Sequence, residues 1–137
     1  MYKLDYRSRY LYPRAQLGIE VPVELHLADL SVRLTAKIDT GATYCFFQRE
    51  YAEALELNVE DGHYQLIKTV NGEFSAFGHT VEFTCIEHRT AAMVYFYADS
   101  QLKRNVLGRN GWLNQHRIGL VDHDLSLYLS HYNDAAT

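Results

Sequence analysis

Lys37-Ile38-Asp39-Thr40-Gly41-Ala42-Thr43 constrains this chain more than any other stretch. An apolar, β-prone run delivers one aspartate into a Thr-Gly turn, and Ala42, Cys45, Phe46 and Phe47 follow at once. An ordinary surface turn uses Asp and Gly for local bonding and bending and needs no such flanks. Here the polar triplet is sunk into apolar sequence, where a lone carboxylate is costly unless paired or protonated. The chain has a single segment of this kind. A second aspartate to share its proton therefore has to come from a second copy of the protein.

The rest of the chain sets the frame for that loop. At 137 residues it is one domain with room for an ordinary core. With 47% hydrophobic and 22% charged residues, it is not a disordered sequence. The net charge of −4 and a pI near 5.9 argue against bulk nucleic-acid binding. Cys45 and Cys85 are too few for a disulfide framework; two buried thiols are favoured over one bridge. The start, Met1 to Arg7, has no apolar core of a signal peptide, and the apolar run from Ala91 to Ala98 is too short to cross a bilayer. The expectation is a soluble, cytoplasmic protein with no membrane partner.

β-type alternation dominates. Ile19, Val21, Val23, Leu25 and Leu27 share one face, and Val32, Leu34, Ala36 and Ile38 repeat the pattern after a turn at Ala28-Asp29-Leu30. Thr43 to Phe47 reads as a third short strand and Gln48 to Leu57 as one short helix. Tyr64 to Val70 and Glu73 to Phe77 flank Asn71-Gly72, which predicts a tight type I′ hairpin turn with positive φ at both residues. Thr80 to Ile86 and Thr90 to Tyr97 form a further pair around Glu87-His88-Arg89. Arg109 to Gln115 gives one or two helical turns, and Arg117 to Val121 with Leu125 to Leu129 closes the domain. The fold class is all-β, closed and barrel-like, with one or two short helices. Residues 1–16 are set aside as an N-terminal tail, and 17–137 form the domain.

Ile38-Asp39-Thr40-Gly41-Ala42-Thr43 resembles the active-site segment of the retropepsin-like aspartic proteases. The late stretch Asn105-Val106-Leu107-Gly108-Arg109-Asn110-Gly111-Trp112-Leu113 resembles their second motif, and the Asn71-Gly72 hairpin lies between the two, where that family carries its flap. The resemblance spans roughly Leu17 to Leu129. It implies a homodimer with the site on the two-fold axis and hydrolysis of peptide or protein substrates without metal or organic cofactor. It makes Asp39 the catalytic residue, with Thr40, Gly41 and Ala42 shaping the loop. It makes Val70, Asn71, Gly72 and Glu73 the flap, and Gly108 and Arg109 the structural support. Retroviral members follow the Asp-Thr-Gly-Ala run with an acidic residue that pairs with the Arg of the late motif. This chain has Thr43 there, so Arg109 needs another partner. The flap is not glycine-rich, and Glu73 near its tip favours basic or polar substrates.

A second reading keeps the fold but drops the chemistry: a peptide-binding or dimerisation module. A third rests on Lys3, Arg7, Arg9 and Arg14 interleaved with Tyr2, Tyr6, Tyr10 and Tyr12, a pattern seen in nucleic-acid-binding arms but ranked below a flexible or dimer-contacting tail. The seven histidines form no metal-binding spacing, Asp122-His123-Asp124 reads as a polar turn, and Trp112 reads as a core aromatic.

Overall fold

A computed structural model describes residues 1–135 of the chain. The strands are β1 (Ser8–Leu11), β2 (Glu20–Leu27), β3 (Leu30–Ile38), β4 (Phe46–Phe47), β5 (His63–Thr69), β6 (Gly72–Cys85), β7 (His88–Tyr97), β8 (Val106–Leu107), β9 (His116–Val121) and β10 (Ser126–His131). The one α-helix, α1, covers Arg49–Ala54, and three short 3-10 turns complete the set.

Seven strands form the main sheet in the order β2-β3-β8-β4-β7-β6-β5. β2 also pairs with β6, so the order closes on itself into a ring and leaves β5 outside it. The alternation of β2 and β3 drives this closure. Val21, Val23 and Leu25 are each at most 2% exposed and sit opposite Ala36, Leu34 and Val32. Phe83, Phe96, Leu107 and Trp112 fill the interior from other strands and loops, all fully buried. Trp112 is thus the core residue its sequence context suggested.

Three expectations change. β6 is one continuous 14-residue strand rather than two, because Gly78 is buried against Met93 and Tyr95 and lets the ladder pass without a break. The helix ends early. Glu56 takes a positive φ of 58°, and the N–H groups of Leu57 and Glu56 close back on Ala52 O and Glu53 O, a left-handed stop that uses no glycine. The hairpin turn is Val70-Asn71, with Thr69 paired to Gly72, and Gly72 alone has positive φ, +125°. The Thr69 hydroxyl causes this shift: it accepts from Asn71 N–H at 3.3 Å and donates to Gly72 O at 2.9 Å, closing the tip from one side.

The N-terminal segment differs most from a tail. Ser8–Leu11 pairs antiparallel with β10, which pairs with β9, giving a separate three-stranded sheet. Tyr12 is 4% exposed, and its hydroxyl donates to Asp122 at 2.8 Å. Arg7 pairs with Asp134 at 3.0 Å, and Arg9 donates to Ser126 and lies over the Tyr128 ring. Two of the four basic residues proposed for a nucleic-acid arm are therefore engaged within the chain.

Where this small sheet meets the ring, His88, His116 and His131 gather with ring centroids 5.2 to 6.1 Å apart. His116 donates from Nδ1 to Trp112 O at 2.6 Å, while its Nε2 is buried without a partner. Burial pushes the His116 pKa down to about 4, and the neighbouring histidines add to the effect. His88, which bonds Ser8 Oγ at 2.9 Å, is lowered by burial and by His131.

Candidate active site

The Asp39 loop is built by two chain segments crossing. Residues 39–45 leave β3, and residues 105–110 pass beside them through β8. Asp39 N–H donates to Leu107 O at 3.0 Å, Arg109 N–H to Ala42 O at 2.8 Å and Asn110 N–H to Thr43 O at 2.8 Å. Backbone groups on both segments are thereby satisfied without water, as a sunken loop requires. Asn105 staples the surroundings: its Nδ2 donates to Thr35 O and its Oδ1 accepts from Gln48 N–H at the start of α1.

Gly108 sits where the crossing is tightest. A Cβ there would lie 2.2 Å from Tyr44 O and 2.7 Å from Ala42 O, both backbone atoms that cannot move aside. Its N–H points to Cys45 Sγ at 3.4 Å. Cys45 is fully buried, and burial pushes its thiol up to about 12. Cys45 and Cys85 are both free thiols. Neither is a reactive thiolate.

Asp39 itself is half-buried. Its Oδ1 accepts from Gly41 N–H at 2.9 Å, and that is its one side-chain bond among the described residues. Thr40 is exposed, and its hydroxyl has no partner among the described residues. The carboxylate faces a cleft of about 410 Å³. Phe46, Phe74, Tyr97 and Val106 form its apolar lining, and Lys68 and Arg104 its cationic part. The aromatic rings pack on one another: Phe46 and Tyr97 stack at 5.8 Å between centroids, and Phe74 meets Tyr97 at 5.3 Å. Burial pushes the Tyr97 phenol up to about 12, with Arg104 nearby pulling the other way.

The structure thus brings Asp39, Gly41 and Ala42 to one cleft, with Gly108 behind the loop. Arg109 acts through its backbone; its side chain is exposed and makes no ion pair among the described residues. Val70, Asn71, Gly72 and Glu73 stand at the hairpin tip, but the hairpin residues that line the Asp39 cleft are Leu66, Ile67, Lys68, Thr69 and Phe74. Asn71, Gly72 and Glu73 border a second cavity of about 300 Å³, which shares Thr69, Phe74, Tyr97 and Arg104 with the first. Sequence reading placed Phe74 at the end of the flap segment but assigned no cleft role to Phe46, Tyr97 or Arg104. The alternation of β7 was the available signal, because Tyr95 and Tyr97 repeat with period two on one face.

Among the described residues no group of three His, Cys, Asp or Glu side chains is placed to hold a metal ion. No helix is long and apolar enough to cross a membrane. Asp122-His123-Asp124 forms a 3-10 turn, with Asp122 taken by Tyr12 and His123 bonded to Asp124 at 2.8 Å.

Solved structures share this fold. The chain superposes on a retropepsin-like aspartic protease from Rickettsia conorii with a TM-score of 0.66 at 16% identity, covering 90% of this chain and 99% of that one. It superposes on the EIAV protease complexed with the inhibitor HBY-793 with a TM-score of 0.55 at 16% identity, covering 72% and 88%. No curated protein matches it in sequence. The model of the aspartyl protease family matches residues 21–110, a span that holds both the Asp39 loop and the Gly108 crossing. With two thirds of its length matched and a retropepsin-like fold around the loop, the chain belongs to the aspartyl protease family.

Proposed function

We propose that this protein is an aspartic endopeptidase active as a homodimer, each copy lending one Asp39 to a shared pair. The observation that carries the reading is the Asp39 carboxylate itself. It lies at the cleft, is fixed from the backbone side by two crossing segments, and is bonded only to Gly41 N–H within the described chain. Two such carboxylates brought together cannot both ionise, so the pair holds one proton at mildly acidic pH. The ionised member takes a proton from a water as its oxygen bonds to the scissile carbonyl carbon. The protonated member polarises the carbonyl oxygen. The carbon–nitrogen bond then breaks as the leaving amine takes up a proton from the pair.

Two further features support a partner copy. Thr40 is exposed with an unpartnered hydroxyl beside Asp39, as a loop that meets its symmetry mate would be. The hairpin strand β5 pairs on one side only, leaving an edge beside the cleft on which an extended peptide can add as a strand.

The test is Asp39→Asn. Turnover of a mixed peptide library falls by at least about a thousandfold in that variant. Unchanged cleavage removes the mechanism. Sedimentation gives an independent check, since a protein that is active while strictly monomeric leaves Asp39 without its mate. Binding of peptides without any turnover by the wild type favours the non-catalytic module instead.

A further inference from the structure

We infer that the Asp39 cleft selects peptides carrying a carboxylate, which Arg104 receives with Lys68 as a second cation. The inference rests on the cleft being a peptide site, as proposed above, and adds what the site reads.

Several cations of this chain are spent on internal ion pairs. Arg49 is held by Glu60 and Glu53, Arg33 by Glu24, Arg89 by Glu82 and Lys103 by Glu50. Arg104 directly follows Lys103 in sequence, yet neither it nor Lys68 has an ion-pair partner among the described residues. Both line the Asp39 cleft, where Asp39 supplies the one carboxylate among the described residues. The acid nearest in sequence register is Glu73, opposite Lys68 on the hairpin, and it borders the second cavity rather than the Asp39 cleft.

The position of Arg104 gives this free charge its meaning. It borders both the Asp39 cleft and the cavity under the hairpin tip, with Phe74 and Tyr97 shared between them. Tyr97 is 4% exposed and feels the guanidinium in its own titration, so the solvent-exposed Arg104 side chain stands beside an aromatic wall. A guanidinium's planar fork favours paired contacts with a carboxylate, and a peptide seated in the cleft removes water from around that contact. The chain is acidic overall, at −4, so any preference for an acidic peptide has to arise locally in this cleft and not from long-range attraction. This runs against the sequence expectation from Glu73, which pointed to basic or polar substrates.

Both an acidic side chain and a free chain end present a carboxylate. The experiment uses four peptides with one aromatic core: Glu, Gln or Lys at a flanking position with blocked ends, and the Gln peptide with a free C-terminus. Turnover is read on the wild type and Kd on Asp39→Asn, which separates binding from chemistry. The Glu peptide is favoured over Gln by about tenfold in both readouts. Arg104→Gln brings the Glu peptide down to the Gln peptide, and Arg104→Glu turns the preference toward Lys. A gain seen only for the free C-terminus assigns the carboxylate to the chain end. Equal Kd for the Glu and both Gln peptides, or no peptide binding at all, overturns the inference. If the preference holds in Kd while the wild type cleaves nothing, the proteolytic reading falls and this inference stands.

Discussion

The β6–β7 ladder has two ends that treat polar groups in opposite ways. At one end lies the Asp39 cleft, where Asp39, Lys68 and Arg104 remain unpaired and within reach of a ligand while the backbone around them is tightly fixed. At the other, the Ile86-Glu87 turn leads into His88, and three histidines are packed against one another under the small sheet. The first end is rigid in its main chain and open in its charges. The second buries its titratable groups and tolerates main-chain strain, since both Ile86 and Glu87 have positive φ, 48° and 68°. The contrast teaches that charge kept for a partner is left solvated and free, whereas a polar group kept for packing is buried and held neutral.

The sharpest way to break the contrast is to loosen the rigid main chain. Gly108→Ala forces a methyl against Tyr44 O and Ala42 O, and the loops have to part. Urea unfolding should show a loss of about 3 kcal/mol. A loss below about 0.5 kcal/mol would mean the crossing is soft.

Acid comes next in size. A histidine whose pKa is about 4 when folded and ordinary when unfolded binds more protons in the unfolded state between those values. Its contribution is intact above the unfolded pKa and is lost as pH falls toward the folded one. His116 alone should then cost about 3 kcal/mol by pH 4, with His88 acting in the same direction. Thermal melts from pH 7 to 4 should fall steeply. His116→Gln, which retains a donor for Trp112 O, should flatten them. The acidity that would suit the proposed carboxylate pair at one end thus strains the other.

Smaller still is the strained turn. Glu87 is exposed, and Glu87→Gly relieves the positive φ, raising stability by about 1 kcal/mol in urea unfolding. The smallest expected effect is that of Asp39→Asn on stability. The amide oxygen can still accept from Gly41 N–H, so the melting curve should move by less than about 0.5 kcal/mol even as activity disappears. A large stability change there would mean that Asp39 serves the fold rather than the chemistry.

What the sequence revealed follows the range of the forces involved. The Asp39 loop was legible because apolar flanks, an acid and a Thr-Gly turn all act within a few residues. Gly108 was legible as part of a motif, although the reason for a glycine, the Tyr44 and Ala42 carbonyls, shows only once the segments cross. The hairpin was found but its turn was placed one residue late, because the Thr69 side chain and not the Asn-Gly pair decides the closure. Much of the cleft lining was hidden: Phe46, Tyr97 and Arg104 come from β4, β7 and the loop before β8, and no local period links them. β1 was hidden for the same reason, its partner strand lying near the other end of the chain.

That last pairing carries a temporal consequence. Arg7 and Ser130, 123 positions apart, share a hydrogen bond of 2.7 Å, and Ser8 reaches across to His88. During synthesis the ring can assemble while β1 waits unpaired, because β10 emerges from the ribosome after every strand of the ring. Until then the histidine pocket lacks its roof, and the opening residues remain exposed to proteases and to mispairing with other nascent chains.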